Sequence, residues 1–367
     1  MSPIIGLQEK TINLWLDYLN RDLLTSDKFK ELLDQGLISG TSVHPAGLTI
    51  AIPRSKTYRH SIQSLKNSHS NVETIYNTLM VDDIRQAAIL FLPKYNATNG
   101  QNGFVNVSLS PYLADNTNAL VAEAQKIWHA INSPNVMIKI PANRAGLPAI
   151  YHLIQQGINV NVTPLCGLYR YREVIETYIT ALEARARHNL PLHYLASVAT
   201  FQLNVIDNKF DKILQPWLNR EGRQTDYARV LRGQIATALA KMAFQIYRKV
   251  FEGWRFKNLA IKGAQPQHLV WSNTNDNNPS ISHPNYDTSL IEPQTIITIA
   301  GEKINNNNIY YNLVMNSDTL SEPASKILRL VFQVDIDPEQ VAQQLEKESI
   351  QNCIQIYDTC LTLIENQ

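Results

Sequence analysis

Residues 136–142 read VMIKIPA and place a single lysine, Lys139, inside a run of aliphatic residues. A short apolar run between turn-forming residues is typical of a strand that is buried on both faces. A buried lysine loses the hydration of its ammonium group, so its charge must be paired or its pKa must fall. A lysine with a lowered pKa can attack a carbonyl and form an imine. The run alone leaves two other interpretations open, namely a surface lysine on an edge strand and a structural ion pair.

The predicted strands that flank Lys139 in sequence carry a polar residue at every second position. These polar residues are Asn106, Ser108 and Ser110 in FVNVSLS (104–110) and Asn159, Asn161 and Thr163 in INVNVT (158–163). Successive side chains of a strand point to opposite faces, so each polar set shares one face. With helices covering the outside, these faces point into the interior, where polar residues are tolerated near the mouth of a barrel.

A second charged candidate, Asp17, ends the apolar run LWLD (14–17). It is a natural counter-charge or proton-transfer partner for Lys139 across the interior. The structural alternative is a helix N-cap or turn aspartate, and the run by itself does not separate the two interpretations.

Short β-rich runs alternate with helix-like segments along the whole chain. The predicted strands are Ile12–Asp17, Gly40–His44, Phe104–Ser110, Val136–Pro141, Ile158–Thr163, Tyr194–Phe201, His268–Asn273 and Thr295–Ile299. Apolar spacing predicts helices at Leu120–Asn132, Glu173–His188, Ala236–Val250 and Glu339–Ile364, and two further helical segments within residues 56–92. This alternation predicts an α/β fold, a closed parallel (β/α)8 TIM barrel with additional helices. The polar stretches 273–286 and 305–308 are predicted loops, and no linker divides residues 1–367, which are expected to form a single domain.

Composition argues against several other classes of protein. The 367 residues are 44% hydrophobic and carry a net charge of +1, which gives no overall electrostatic case for binding nucleic acid. No apolar run reaches the roughly 18 residues of a membrane span, and no signal pattern opens the chain, so we expect a cytoplasmic protein.

Its nine histidines and three cysteines lack metal-site or disulfide spacing, so we expect no metal and no cofactor. Cys353 and Cys360, seven residues apart on the predicted C-terminal helix, are expected to pack in the core. The oligomeric state is not predicted.

Longer motifs resemble the transaldolase family in its longer bacterial form, in the same order along nearly the whole chain. The similarity runs from LWLDYLNRDLL (14–24) to VDIDPEQVAQQLEKESIQ (334–351). Between them, VMIKIPANRAGLPAI (136–150) resembles the active-site lysine signature of that family. The resemblance implies a class I aldolase that takes a dihydroxyacetone unit from a ketose phosphate as an imine and transfers it to a second aldehyde.

The resemblance also implies roles for individual residues. It carries Lys139 onto the Schiff-base position and Asp17 onto the catalytic aspartate. In GINVNVT (157–163), Asn161 matches a substrate-binding asparagine, and Thr163 matches a threonine that helps to hold a catalytic water. We therefore assign Lys139, Asp17 and Thr163 to catalysis.

Several positions depart from the pattern of the family at the expected site. The substitutions are His44 for an asparagine, Ser108 for a glutamate, Asn143 for a threonine, Thr200 for a serine, Val205 for a phosphate-binding arginine and Asn277 for a lysine. Each lost charge-assisted contact to phosphate is worth about 1.5–3 kcal/mol, unless Arg144 or Arg170 compensates. Losing the glutamate removes a proton relay worth roughly 10²–10⁴ in rate.

We assign the substituted and retained pocket residues His44, Ser108, Asn143, Asn161 and Thr200 to substrate binding. His44 can act as a proton donor or acceptor, or it can simply fill the pocket through a hydrogen bond.

The sequence thus predicts an enzyme, a transferase or lyase that forms an imine on Lys139 and acts on a small carbonyl substrate without phosphate. Such an enzyme would serve carbohydrate metabolism or a biosynthetic route. The alternatives are a catalytically silent homologue that binds or regulates, and a residual transaldolase of the pentose phosphate pathway. A closed, dry pocket around Lys139 would argue against any substrate.

Overall fold

Eight strands close into a parallel barrel, in which each strand pairs with its neighbours in chain order and the last pairs with the first. A computed structural model describes residues 13–17, 19–272, 290, 292, 294–300, 320 and 322–367. The strands are β1 Asn13–Asp17, β2 Gly40–Val43, β3 Phe104–Ser108, β4 Val136–Ile140, β5 Val160–Leu165, β6 Ser197–Gln202, β7 His268–Ser272 and β8 Thr295–Ala300. The predicted (β/α)8 barrel with additional helices is confirmed. The loops predicted at 273–286 and 305–308 lie outside the described residues, as does Asn277.

Helices surround the barrel and connect its strands. In the described part of the chain they are α1 Arg21–Leu24, α2 Asp27–Asp34, α3 Pro45–Ala51, α4 Lys56–Asn67, α5 Val72–Ala97, α6 Thr117–Ile131, α7 Gly146–Gln156, α8 Leu168–Arg187, α9 Leu203–Leu218, α10 Arg223–Leu231, α11 Ile235–Phe251, α12 Trp254–Ala260, α13 Ala324–Phe332 and α14 Pro338–Glu365. All four helices predicted individually are present as α6, α8, α11 and α14, and the two segments of residues 56–92 are α4 and α5. Side-chain caps begin several of them: Asn116 accepts from the Ala119 N–H before α6, and Asp337 accepts from the Glu339 N–H at α14.

Two strands begin later in the chain than the sequence pattern predicts. β5 was expected from Ile158, but the Ile158 N–H donates to the Leu153 carbonyl and closes the turn after α7. β6 was expected from Tyr194, but that residue has a φ of 65°, a left-handed conformation that does not continue a strand. Local backbone geometry, which the apolar pattern does not encode, sets both boundaries.

The lower part of the barrel interior is filled by large apolar side chains. This cluster contains Trp15, Phe104, Met137, Val198, Val270 and Ile296, all nearly inaccessible to solvent. Gly40 is required beside Trp15, because a Cβ at that position would lie 2.5 Å from the indole Nε1 and 2.8 Å from the Phe104 carbonyl. The cluster forms a floor, above which the interior positions of the strands become polar.

A buried charge network ties α1, α4 and α5 together outside the barrel. The Asp83 carboxylate is fully buried and accepts hydrogen bonds from the Arg21 guanidinium and the Tyr58 hydroxyl. Arg21 also donates to Ser61 Oγ at 2.7 Å. Burial raises the pKa of Asp83, while Arg21 and Tyr58 oppose that shift by favouring the carboxylate. The network anchors the extra helices that precede β3.

No helix in the described part of the chain is both long and apolar enough to span a membrane.

Replacing Asp83 by asparagine should lower the free energy of unfolding by about 3–5 kcal/mol, because Arg21 would keep a buried charge without its carboxylate. Urea unfolding followed by circular dichroism measures this change. Asp82→Asn is the matched control, since the Asp82 side chain is 44% exposed and lies 3.9 Å from Arg21. The control should change stability by no more than about 1 kcal/mol, and equal effects in the two variants would contradict the interpretation.

Candidate active site

A cavity of about 600 Å³ opens at the carboxyl ends of the barrel strands. The last interior positions of the strands line it, as expected for catalytic sites in this fold. Its lining includes Trp15, Asp17, Ser42, His44, Asn106, Ser108, Lys139, Asn161, Thr163, Thr200, Gln202, Val205, Ser272 and Thr298. Five of the six residues predicted from period-two alternation line this cavity: Asn106, Ser108, Ser110, Asn161 and Thr163. Asn159 lies outside the lining and donates to the backbone carbonyls of Pro134 and Val136. The cavity opens at the mouth of the barrel and is therefore not closed. Its volume lies within the range of about 300–1,000 Å³ typical of small-molecule sites.

Lys139 lies on β4 between the two polar strands, with Ser108 of β3 and Asn161 of β5 as its register partners. Its Nζ donates a hydrogen bond to Ser42 Oγ at 2.5 Å. Burial lowers the pKa of Lys139, while the negative charge of Asp17 raises it. Desolvation thus increases the fraction of neutral, nucleophilic amine at a given pH, as imine chemistry requires.

Asp17 lies at the end of β1 and lines the same cavity as Lys139. Asp17 and Lys139 form no ion pair within 4 Å among the described residues. The negative charge of Asp17 nevertheless acts on Lys139 and raises its pKa. The carboxylate and the amine therefore line one cavity without direct contact. A role as counter-charge is therefore geometrically compatible, and proton transfer by Asp17 remains a prediction.

A chain of hydrogen bonds fixes the orientation of the amides beside Lys139. Asn106 Nδ2 donates to the backbone carbonyl of Thr41 at 2.9 Å, so its Oδ1 must face Asn161. Asn161 Nδ2 donates to that Oδ1 at 2.9 Å, and Asn161 Oδ1 accepts from Thr200 Oγ1 at 2.8 Å. Because an amide nitrogen carries two hydrogens, Asn161 retains a second donor for a hydroxyl or carbonyl oxygen. The predicted binding residues Asn161 and Thr200 are held rigidly at the cavity wall.

His44 lies where β2 gives way to α3. Its Nδ1 accepts a hydrogen bond from the Ala46 N–H at 3.1 Å and caps the helix. Burial, followed by the positive charge of Lys139, lowers the pKa of His44 to about 3. The imidazole is therefore neutral at physiological pH, and with Nδ1 accepting, its proton lies on Nε2. His44 can donate a hydrogen bond as a neutral ring, but it holds no second charge for an anion.

The other predicted residues divide between the cavity and its surroundings. Ser108 and Thr163 line the cavity. Asn143 lies outside the lining: its Oδ1 accepts from the Gly146 N–H at 2.8 Å, and its Nδ2 donates to the Ala114 carbonyl at 3.0 Å. These contacts begin α7 and fasten the preceding loop, so a substrate contact by Asn143 stays a prediction.

Helix α14 lies across the mouth of the barrel. One face of it contributes the lid residues Leu345, Glu348, Ser349, Asn352, Cys353 and Ile356, which recur at helical spacing. The expectation that Cys353 packs in the core is wrong, because it lines the cavity and is partly exposed, whereas Cys360 is fully buried. Both halves of the helix contribute to this face, and its two ends extend beyond the mouth.

Sequence reasoning missed Ser42, the direct partner of Lys139. Ser42 lies two residues before His44 and two after Gly40, so the same period-two rule places it on the interior face. Gln202, Ser272 and Thr298 could have been found in the same way. The lid residues carry no comparable local signal, because helical spacing does not tell which surface a helix covers.

Positive charge is scarce in this cavity. Lys139 is the only lysine or arginine among the described residues that line it. Arg144 is exposed and outside the lining, and Arg170 pairs with Glu173 at 2.6 Å and with Glu346 at 3.3 Å. Val205 offers an apolar surface where the resemblance places an arginine. Within the described residues, neither of the arginines considered as replacements reaches the cavity.

The described residues contain no group of three or more His, Cys, Asp or Glu side chains arranged to hold a metal ion.

Comparison with known proteins gives a consistent result. The family model for Transaldolase/Fructose-6-phosphate aldolase matches residues 14–364. A transaldolase of Mycobacterium leprae is 32% identical over 368 residues, which cover 99% of the chain and 96% of the relative. A transaldolase of Trichodesmium erythraeum is 32% identical over 359 residues, which cover 97% of the chain and 94% of the relative. The similarity thus includes the whole barrel and the lid helix.

Replacing Ser42 by alanine should lower the pKa of Lys139 further, by on the order of one unit, because the ammonium loses an acceptor. The measurement is the pH dependence of Lys139 modification by an amine-reactive reagent, followed by mass spectrometry. In the unmodified chain, Lys139 should react half-maximally at a lower pH than the exposed Lys126, and in Ser42→Ala at a still lower pH. Ser110→Ala, at the rim, is the control, and an unchanged or higher midpoint in Ser42→Ala would refute the role of this contact.

Proposed function

The chain belongs to the transaldolase/fructose-6-phosphate aldolase family, and on that premise we propose that it makes or breaks carbon–carbon bonds through an imine on Lys139, with a carbonyl substrate that carries no phosphate. The observation that carries the substrate proposal is the charge of the cavity. Its described lining holds Lys139 as the only lysine or arginine, and His44 is neutral. A phosphate dianion would find no fixed cation there except the nucleophile itself.

The chemical steps follow from the amine and its neighbours. The neutral Lys139 amine adds to the carbonyl carbon of the substrate, and loss of water from the carbinolamine gives an imine whose protonated form withdraws electrons. A base removes the proton of the β-hydroxyl group, and the bond between the α- and β-carbons breaks. The β-carbon leaves as an aldehyde, and the electron pair of the broken bond neutralises the protonated imine and leaves an enamine on Lys139. The enamine then attacks a second aldehyde or takes up a proton, and hydrolysis frees the amine.

Proton transfer falls to Asp17 in this scheme. Ser108 lies at the position where the resemblance places a glutamate, and a hydroxyl can position a water but cannot carry the proton of a carboxylate relay. Asp17 is the carboxylate on the barrel wall that faces the same cavity as Lys139. Thr163, also in the lining, can hold a water in the same cavity.

Two features support an enzyme over a silent binding protein. The cavity has the volume of a small-molecule site and reaches the desolvated lysine. The Asn106–Asn161–Thr200 chain presents fixed donors at its wall, which favours recognition of a hydroxylated substrate. Burial of a lysine destabilises the fold, so a structural role does not explain the buried amine beside these oriented amides.

Borohydride reduction in the presence of dihydroxyacetone should attach one reduced adduct to Lys139, which peptide mass spectrometry would locate. Lys139→Met should abolish the adduct, because no other amine lines the described cavity. Lys126→Met, which removes a lysine that is 69% exposed, is the matched control and should leave the adduct intact. Transfer between fructose 6-phosphate and erythrose 4-phosphate should be essentially absent.

Absence of any adduct across a panel of hydroxylated ketones and aldehydes would favour the silent binding protein. Efficient transfer between the two sugar phosphates would instead restore the housekeeping transaldolase.

A further inference from the structure

An ion pair between α9 and α14 forms part of the rim of the cavity. Glu348 lines the cavity from the lid helix, and its Oε1 accepts from Lys209 Nζ at 2.6 Å. The same oxygen accepts from Gln344 Nε2 at 2.8 Å. The Lys209 and Glu348 side chains are 19% and 44% exposed, so the pair lies at the boundary between cavity and solvent.

The position of Lys209 on α9 relates this pair to the missing phosphate site. Val205 lines the cavity at the position where the resemblance places a phosphate-binding arginine. Lys209 follows four residues later, so the two side chains lie on the same face of α9, one turn apart. A cation one helical turn from the position of the lost arginine is therefore present, but Glu348 binds it.

We infer that Glu348 is a specificity-determining residue that excludes phosphorylated carbonyl compounds by holding Lys209 in an ion pair and facing its own carboxylate into the cavity. The inference rests on the proposed function and names its substrate class. The substrates are carbonyl compounds whose end distant from the reacting carbonyl carries hydroxyl groups and no negative charge. A phosphate at this rim would meet a carboxylate at close range and would have to displace it to reach Lys209. A hydroxyl group can instead use the neutral polar side chains nearby, such as Gln202 and Ser349 of the lining.

The charge state of the pair supports this reading. The hydrogen bond and the charge of Lys209 lower the pKa of Glu348, so its carboxylate stays ionised at neutral pH. Asp17 adds a second acidic group to the same cavity. With Lys209 counted, the described lining and its rim pair hold two acidic and two basic side chains, so they offer no excess positive charge to an anion.

Inorganic phosphate binding tests the inference without requiring imine formation. Glu348→Gln keeps the size of the side chain and one acceptor oxygen but removes its charge, which frees the charge of Lys209 for an anion. Isothermal titration calorimetry should show phosphate binding that is tighter by at least about tenfold than in the unmodified chain. The Glu348→Gln/Lys209→Gln double variant should lose that gain, because the freed cation is gone.

Glu365→Gln is the matched control, since it makes the same change on the same helix at an exposed position outside the cavity lining. It should leave phosphate binding unchanged. Equal phosphate affinity in Glu348→Gln and the unmodified chain, a gain that persists in the double variant, or the same gain in Glu365→Gln would each overturn the inference.

A second measurement connects the rim to substrate choice. The ratio of borohydride-trapped adduct from fructose 6-phosphate to that from fructose should rise in Glu348→Gln by on the order of tenfold, because the two ketoses differ only in the phosphate. If phosphate affinity rises but no ketose forms an adduct, the inference about Glu348 holds and the imine proposal fails. If fructose forms an adduct and the ratio does not change, the imine proposal holds and the inference about Glu348 fails.

Discussion

Desolvation of one amine governs the organisation of this molecule. Lys139 lies inside a parallel barrel, where the ammonium form is disfavoured and the surrounding side chains must supply what water no longer does. Ser42 accepts its hydrogen bond, Asp17 supplies an opposing charge, and the apolar floor below excludes solvent. The barrel is a scaffold that lowers the pKa of this lysine below its value in solution, and the lowered pKa favours attack on a carbonyl.

The same cavity also limits which substrates can bind beside the amine. Oriented amides at Asn106 and Asn161 favour hydroxyl and carbonyl oxygens, while the lining provides few positive charges for phosphate. Helix α14 lies across the mouth and brings Glu348 against Lys209. Retention of the family nucleophile together with loss of anion-binding charge is consistent with an inherited reaction and a changed substrate.

The sequence predicted the parts of this arrangement that depend on local pattern. Period-two alternation identified the interior faces of β3 and β5 because side chains of a strand alternate regardless of context. It did not predict the lid face of α14, nor the Lys209–Glu348 pair, whose members are 139 residues apart in sequence. Such contacts depend on how helices dock. Asn143, which replaces a threonine of the family pattern, shows a further limit, because the sequence did not reveal that its side chain binds the N–H of Gly146, the first residue of α7.

A crystal structure after reduction with borohydride in the presence of dihydroxyacetone tests the central claim most directly. The account predicts continuous electron density from Lys139 Nζ to the central carbon of the trapped unit, with a hydroxyl of that unit within hydrogen-bond distance of Asn161. An unmodified Lys139, with the ketone absent or bound elsewhere, would contradict it.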